Sequence, residues 1–308
     1  MSFSLRQLKY LVAVADSGSI TAASRELGIS QPAISAAIKE LEQGFRLTLF
    51  ARQRAKKVTL TPSGHRSVAA ARVLLADADR FGDNVRGLGT ALSGTLRVGC
   101  FRPTAPFIMP IAYRGMHDAH PDVTVRIQEA DLADLTSLLL EGTLEVALTY
   151  DMHLETDLEF EPLITVRPYA LLAYNDPLAQ QSEVRLKQLV EREMVTLDLP
   201  FTQDFFLSLF YARGLRPKIG LRTKSYEMAR SMVGTGKFFT ILIMKPVVER
   251  SYDGTKLVCR AIKDDIPMPR FGLALPKTSM QTRLTNAFCD VCRQRLRTED
   301  MAGKFFVR

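Results

Sequence analysis

The spacing of apolar residues changes at Gly94, and that change divides the chain. Before it, apolar residues recur at helical intervals, interrupted by one pair of short strand-like runs. After it, strand runs alternate with helical ones. A helical front and an alternating strand–helix body bury their apolar faces in different ways, so a chain of 308 residues is expected to form at least two domains. The apolar fraction of 46% supports packed cores and excludes wholesale disorder. No apolar run reaches the roughly 18 residues that a membrane span requires. Met1-Ser2-Phe3-Ser4-Leu5-Arg6 lacks the apolar core of a signal peptide. Four cysteines are too few for a disulfide scaffold, which points to a reducing cytoplasm.

The front of the chain reads as three short helices. Ser4 and Gln7 have capping-box spacing, Leu8, Leu11, Val12 and Ala15 form one stripe, and Gly18 ends it. Ser19 or Thr21 caps a second helix that stops at Gly28. Ser30 is the expected N-cap of a third, with Pro32 in its first turn. Ile34, Ile38, Leu41 and Phe45 form the buried face of that helix, which leaves Gln31, Pro32, Ser35, Ala36, Lys39 and Gln43 on the opposite side. This is the pattern of a helix-turn-helix, whose outer side chains are short enough to enter a major groove. The same helices also occur in plain three-helix bundles.

Charge separates these readings further. Residues 1–70 hold ten Lys and Arg against four acids, a net of +6, whereas the other 238 residues carry only +2. Residues 49–64 read as two short strands around a basic tip, with Arg52, Arg54, Lys56 and Lys57 within six positions. Such a tip suits phosphates and the minor groove, although a charge run is also what a solvated loop looks like.

From Pro62, the residues Ser67, Ala71, Leu74, Ala78, Phe81, Val85 and Leu88 repeat at alternating intervals of four and three, and Gly87 and Gly89 close the run. A heptad seam of this kind pairs two copies of a helix. An amphipathic surface helix packed on its own domain is the alternative.

Beyond Gly94, strands are expected at 95–99, 123–127 and 146–150, with a helix from Asp131 to Gly142. That order implies a parallel sheet covered by helices on both faces. Further strands are expected near 170–174, 194–197, 221–223, 238–242 and 271–275, and helices near 186–191, 204–211, 227–233 and 284–296. Ligands of open α/β sheets sit beyond the carboxyl ends of the strands. The candidates are therefore Cys100, Phe101, Arg102, Pro103 and Thr104 after the first strand, Glu129 after the second, and Tyr150 and Asp151 after the third. Phe201, Thr202 and Tyr226 open helices in the second half. Arg102 hints at a carboxylate ligand; the aromatics hint at an apolar one. Thr104 and Thr202 also read as plain N-caps.

Leu27-Gly28-Ile29-Ser30-Gln31-Pro32-Ala33-Ile34-Ser35, then Ile38, Leu41-Glu42, Leu49-Phe50 and Leu60-Thr61-Pro62-Ser63-Gly64, resembles the N-terminal signature of LysR-type transcriptional regulators. Glu141 to Leu148 and Gly234-Thr235-Gly236 resemble motifs of the effector domain of the same family. The resemblance implies an α/β protein in three parts: a winged helix-turn-helix at 1–62, a linker and dimerisation helix at 63–90, and an effector-binding domain at 94–308. The last is a doubly wound, periplasmic-binding-protein-like fold, with one subdomain at about 94–163 and 267–308 and another at about 164–266. It further implies a homodimer or homotetramer on double-stranded operator DNA, governed by a small-molecule effector. Gln31, Pro32 and Ser35 match family positions that touch DNA, and Arg52 and Arg54 match wing positions; Ser30, Lys39 and Lys56 join them as DNA-binding candidates. Ala36 departs from the Arg or Gln often found there. The dimerisation candidates are Ala71, Leu74, Ala78, Phe81 and Val85.

Catalytic constellations do not assemble. The four histidines lack metal-ligand spacing, and no phosphate loop or nucleophile elbow occurs. No enzyme, cofactor or metal is expected. Two competing readings remain: a small-molecule or transport receptor without DNA function, and a thiol-based redox regulator. The second is prompted by Cys289-Asp290-Val291-Cys292, which lies within the final helix, and by Cys100.

Overall fold

A computed structural model describes residues 3–52, 58–86, 92–277, 281–297 and 305. The chain forms two units, one over Met1–Thr90 and one over Ala91–Leu139 and Leu144–Arg308, with Leu140–Thr143 grouped with the first.

In the first unit, α1 (Leu5–Ser17) starts on the expected capping box: the Gln7 amide donates to Ser4 Oγ and the Ser4 amide to Gln7 Oε1, at 3.3 and 2.8 Å. Gly18 ends it at φ 60°, a left-handed conformation that glycine adopts without penalty. Ser19 caps α2 (Ile20–Leu27), and α3 (Gln31–Phe45) follows with Ser30 at its N-cap. Ile34, Ile38 and Leu41 of α3 pack with Leu11, Val14 and Ala23 into one core. An antiparallel pair, β1 (Phe50–Arg52) and β2 (Val58–Leu60), precedes α4 (Pro62–Arg86). Asp16 and Arg72 form an ion pair that ties α1 to α4.

The second unit holds two sheets. The first is built from β3 (Gly94–Phe101), β4 (Val123–Ala130), β5 (Val146–Tyr150) and β6 (Leu158–Thr165), with α5 (Ala105–Ala119) and α6 (Leu132–Leu140) between its early strands. The second takes β7 (Tyr169–Ala173), β8 (Glu183–Val184), β9 (Glu193–Leu197), β10 (Lys218–Thr223), β11 (Phe238–Leu242) and β12 (Leu257–Ile262). Its helices are α7 (Leu186–Leu189), α8 (Thr202–Tyr211) and α9 (Tyr226–Gly234). The chain then returns to the first sheet through β13 (Arg270–Pro276) and ends in α10 (Arg283–Leu296). The strand orders are β4-β3-β5-β13-β6 and β10-β9-β11-β7-β12-β8.

The three strands expected to form a parallel sheet, β3, β4 and β5, do pair in parallel. β6 points the same way as these three, and β13, inserted between β5 and β6, is antiparallel to both, so the sheet as a whole is mixed. The second sheet is mixed as well. A chain that leaves one sheet, builds another and comes back arrives from the opposite end, so the returning strand runs antiparallel. Three strands fell outside the expected set, β6, β8 and β12. No helix among the described residues is long and apolar enough to cross a membrane.

Candidate functional sites

The buried stripe of α3 leaves its other side to solvent. Ser30, Gln31, Pro32, Ser35, Ala36 and Lys39 are all exposed on that side, as the 100° spacing requires. The Ser30 hydroxyl makes no capping bond to its helix, and Gln31 Oε1 accepts from Thr21 Oγ1 at 3.3 Å. The wing is tied directly to this helix. Glu42, one turn beyond Lys39, accepts the Leu49 and Phe50 amides at 2.8 and 3.3 Å, while Thr61 Oγ1 donates to the Thr48 carbonyl at 2.6 Å. Arg52 lies in β1; Arg54 and Lys56, at the tip, fall outside the described residues.

The apolar file of α4 serves two surroundings. Ala71 is buried in the core of its own unit, with Val68 beside it, so that methyl is already spent. Leu74 and Phe81 are 38% and 72% exposed, and Ala78 is half-buried. Val85 lies on the helix, but its side chain is outside what is described.

In the second unit the carboxyl ends of β3, β5, β9 and β11 converge on one cavity. It is lined by Phe101, Pro103, Thr104, Tyr150, Met152, Leu197, Thr202, Phe206, Tyr226, Leu242, Ile243 and Met244. About 350 Å³ of empty space, part of it open solvent, adjoins these atoms, and about 20 Å³ of it can hold the centre of a water. That is room for about one water. Phe101 meets Tyr150 edge-on, with centroids 5.8 Å apart. The phenols of Tyr226 and Tyr169 both donate to the Met244 carbonyl, at 2.5 and 2.9 Å. Burial pushes the pKa of Tyr150 and of Tyr226 well above the usual phenol range, so both stay protonated donors.

Six of the eleven ligand candidates line this cavity: Phe101, Pro103, Thr104, Tyr150, Thr202 and Tyr226. The other five do not, each for a physical reason. Cys100 precedes Phe101 on the same strand, so the pleat turns it to the opposite face, where it is buried. Arg102 is exposed, its amide donating to the Ala130 carbonyl. Glu129 is exposed on β4, one of the two edge strands of its sheet. Asp151 accepts from the Arg270 amide and Nε at 2.9 and 2.7 Å. Phe201 stacks on His153. With Arg102 outside the lining, the hint of a carboxylate partner loses its cation; no charged side chain lines the cavity among the described residues. Leu197, Leu242, Ile243 and Met244 were missed, although they end or follow expected strands and the strand-end rule would have found them.

All four cysteines are free thiols. Burial raises the pKa of Cys100 and Cys292, and pushes Cys259 up to about 11 and Cys289 to about 12. A thiol held protonated is a poor nucleophile.

Comparison with known proteins matches both parts. The bacterial regulatory helix-turn-helix family of the lysR type matches residues 5–65, and the LysR substrate binding domain matches residues 89–297. The PA01 protein of Pseudomonas aeruginosa is 35% identical, with a TM-score of 0.65 over 96% of this chain and 100% of that one. HinK, a LysR family transcriptional regulator of the same organism, is also 35% identical, with a TM-score of 0.64 over 96% and 99%. A hydrogen peroxide-inducible genes activator of Haemophilus influenzae is 26% identical over 273 residues, covering 88% of this chain and 89% of that protein. The two family models between them span the helical front and the two-sheet body, and the chain belongs to the LysR family of transcriptional regulators.

Proposed function

We propose that this regulator acts in the cytoplasm as a homodimer or homotetramer that reads operator DNA with α3 and the wing and answers to a small effector held in the second unit. The observation that carries the reading is the exposed face Ser30, Gln31, Pro32, Ser35, Ala36 and Lys39, hydrogen-bonded through Glu42 to a wing whose sequence holds four cations. Residues 1–62 would bind DNA, 63–90 would pair two copies, and 94–308 would bind effector. If Lys39, Arg52, Arg54 and Lys56 each meet a phosphate, log affinity for an operator fragment should fall against log salt with a slope of roughly −3 to −4 per protomer. A slope near zero removes DNA binding.

Leu74 and Phe81 are the seam residues left without cover in one protomer, which supports α4 as the pairing element. Leu74→Asp with Phe81→Asp should yield a monomer with weakened operator affinity, and an unchanged elution volume in size exclusion rejects that assignment. The effector would present an apolar body to Phe101, Phe206 and Leu242, and a polar group to the hydroxyls of Thr104 and Thr202. A thermal-shift screen of metabolites tests this, because a ligand at about 100 times its dissociation constant adds roughly 2.7 kcal/mol. Buried, protonated thiols favour this ligand mechanism over a thiol-based one.

A further inference from the structure

Among the described residues, three that are not glycine have positive φ: Arg46, His153 and Phe201, at 54°, 55° and 63°. Arg46 is the C-cap of α3, an ordinary place for a left-handed residue. The other two have no such excuse. A bulky side chain in this region is uncommon, and it persists where surrounding contacts over-determine the backbone. His153 lies in the turn after β5 of the first sheet, and Phe201 is the N-cap of α8, after β9 of the second. Their rings nevertheless stack, with centroids 4.7 Å apart and planes 24° from parallel.

The position of this pair gives it a role. The next residue before one and after the other, Met152 and Thr202, both line the cavity. Met152 and Thr202 are buried, while His153 is exposed and Phe201 half-buried, so the stack lies on the solvent side of the lining. The cavity beneath is narrow, with room for only about one water. We infer that His153 and Phe201 form an aromatic clasp across the mouth of the cleft, and that parting these rings admits ligand. The inference rests on the cleft being the effector site. It identifies two residues that set access and that need not touch the bound molecule. The left-handed backbone aims each ring at the other, and the stacking holds the two sheets together at this edge.

The test uses the full chain and needs no known effector. Thr104→Cys places a thiol in the lining, and its reaction with methyl methanethiosulfonate reports access; the native cysteines are subtracted using the chain without that change. His153→Gly and Phe201→Gly keep the left-handed backbone at no cost and remove only a ring. An aromatic pair of ordinary strength predicts a roughly three- to tenfold faster reaction in either variant. His153→Phe restores a stacking partner and should return the slow rate. Equal rates in all chains, a His153→Phe chain as fast as His153→Gly, or a thiol that is already fully reactive with the clasp intact would each overturn the proposal. If labelling follows the clasp but no metabolite shifts the melting temperature, the effector reading fails and the clasp stands.

Discussion

Gly64→Ala is expected to destabilise the N-terminal unit by about 2–3 kcal/mol and to lower operator affinity about tenfold or more, at 1.4 kcal/mol per decade. Helix propensity alone predicts the opposite sign, since Gly64 lies in the first turn of α4 and alanine there would gain up to about 1 kcal/mol. Space decides the matter. A Cβ on Gly64 would stand 2.1 Å from the Leu49 carbonyl oxygen and 3.0 Å from Leu60 Cδ2. That carbonyl cannot step aside, because it accepts the Thr61 amide at 3.0 Å and its own residue's amide is held by Glu42. The strain therefore passes to the wing and, through Glu42, to α3. Thermal unfolding followed alongside an operator titration checks both halves, and a variant as stable as its parent would show that the close approach is not needed.

Arg230→Met should cost the second unit about 3 kcal/mol, equivalent to a fall in melting temperature of roughly 6–12 °C for a unit of this size. Arg230 is 1% exposed. Its Nε donates to Glu227 at 2.8 Å and its Nη2 to the Arg250 carbonyl at 2.6 Å, and the guanidinium lies 5.8 Å from the centre of the Tyr226 ring. Methionine fills the space but leaves a carboxylate with 16% of its surface exposed and a carbonyl without its donor. Glu227 also accepts the Tyr252 amide at 2.6 Å, so Glu227→Gln keeps an acceptor there and removes the charge. The double variant Arg230→Met/Glu227→Gln should recover about 1 kcal/mol or more of the loss. Simple additivity in the cycle would mean that the ion pair is not what holds this corner.

What was legible in the sequence followed from local chemistry. The caps at Ser4, Ser19 and Ser30 and the glycines at 18 and 28 bound the three N-terminal helices where the pattern placed them. What was not legible depended on partners far along the chain. β6 carries Pro162, which argues against a strand; it is tolerated because β6 is an edge strand. There Pro162 pairs with Gly272 beside a register shift, where a Cβ on Gly272 would stand 2.1 Å from the Glu161 carbonyl. β12 holds Arg260 mid-strand, and its guanidinium reaches out to the Ala179 carbonyl at 3.0 Å from Nε. Half of the cavity was readable from strand ends; Arg102 and Asp151 were not, because nothing local says that one faces solvent and the other is claimed by Arg270.

The insertion of β13 between β5 and β6 also sets an order of events on the ribosome. All five residues of β5 are buried once Phe271 to Ala274 lie beside them. During synthesis those partners emerge well after residue 165, a delay of roughly ten seconds at ~5–20 residues per second. For that interval β5 offers an unpaired apolar edge, the feature that templates aggregation. The N-terminal unit can close first, but the first sheet of the second unit must wait for the nascent chain to reach Pro276. Stop codons upstream of that point should therefore yield insoluble fragments in which the N-terminal unit is folded and the first sheet is not.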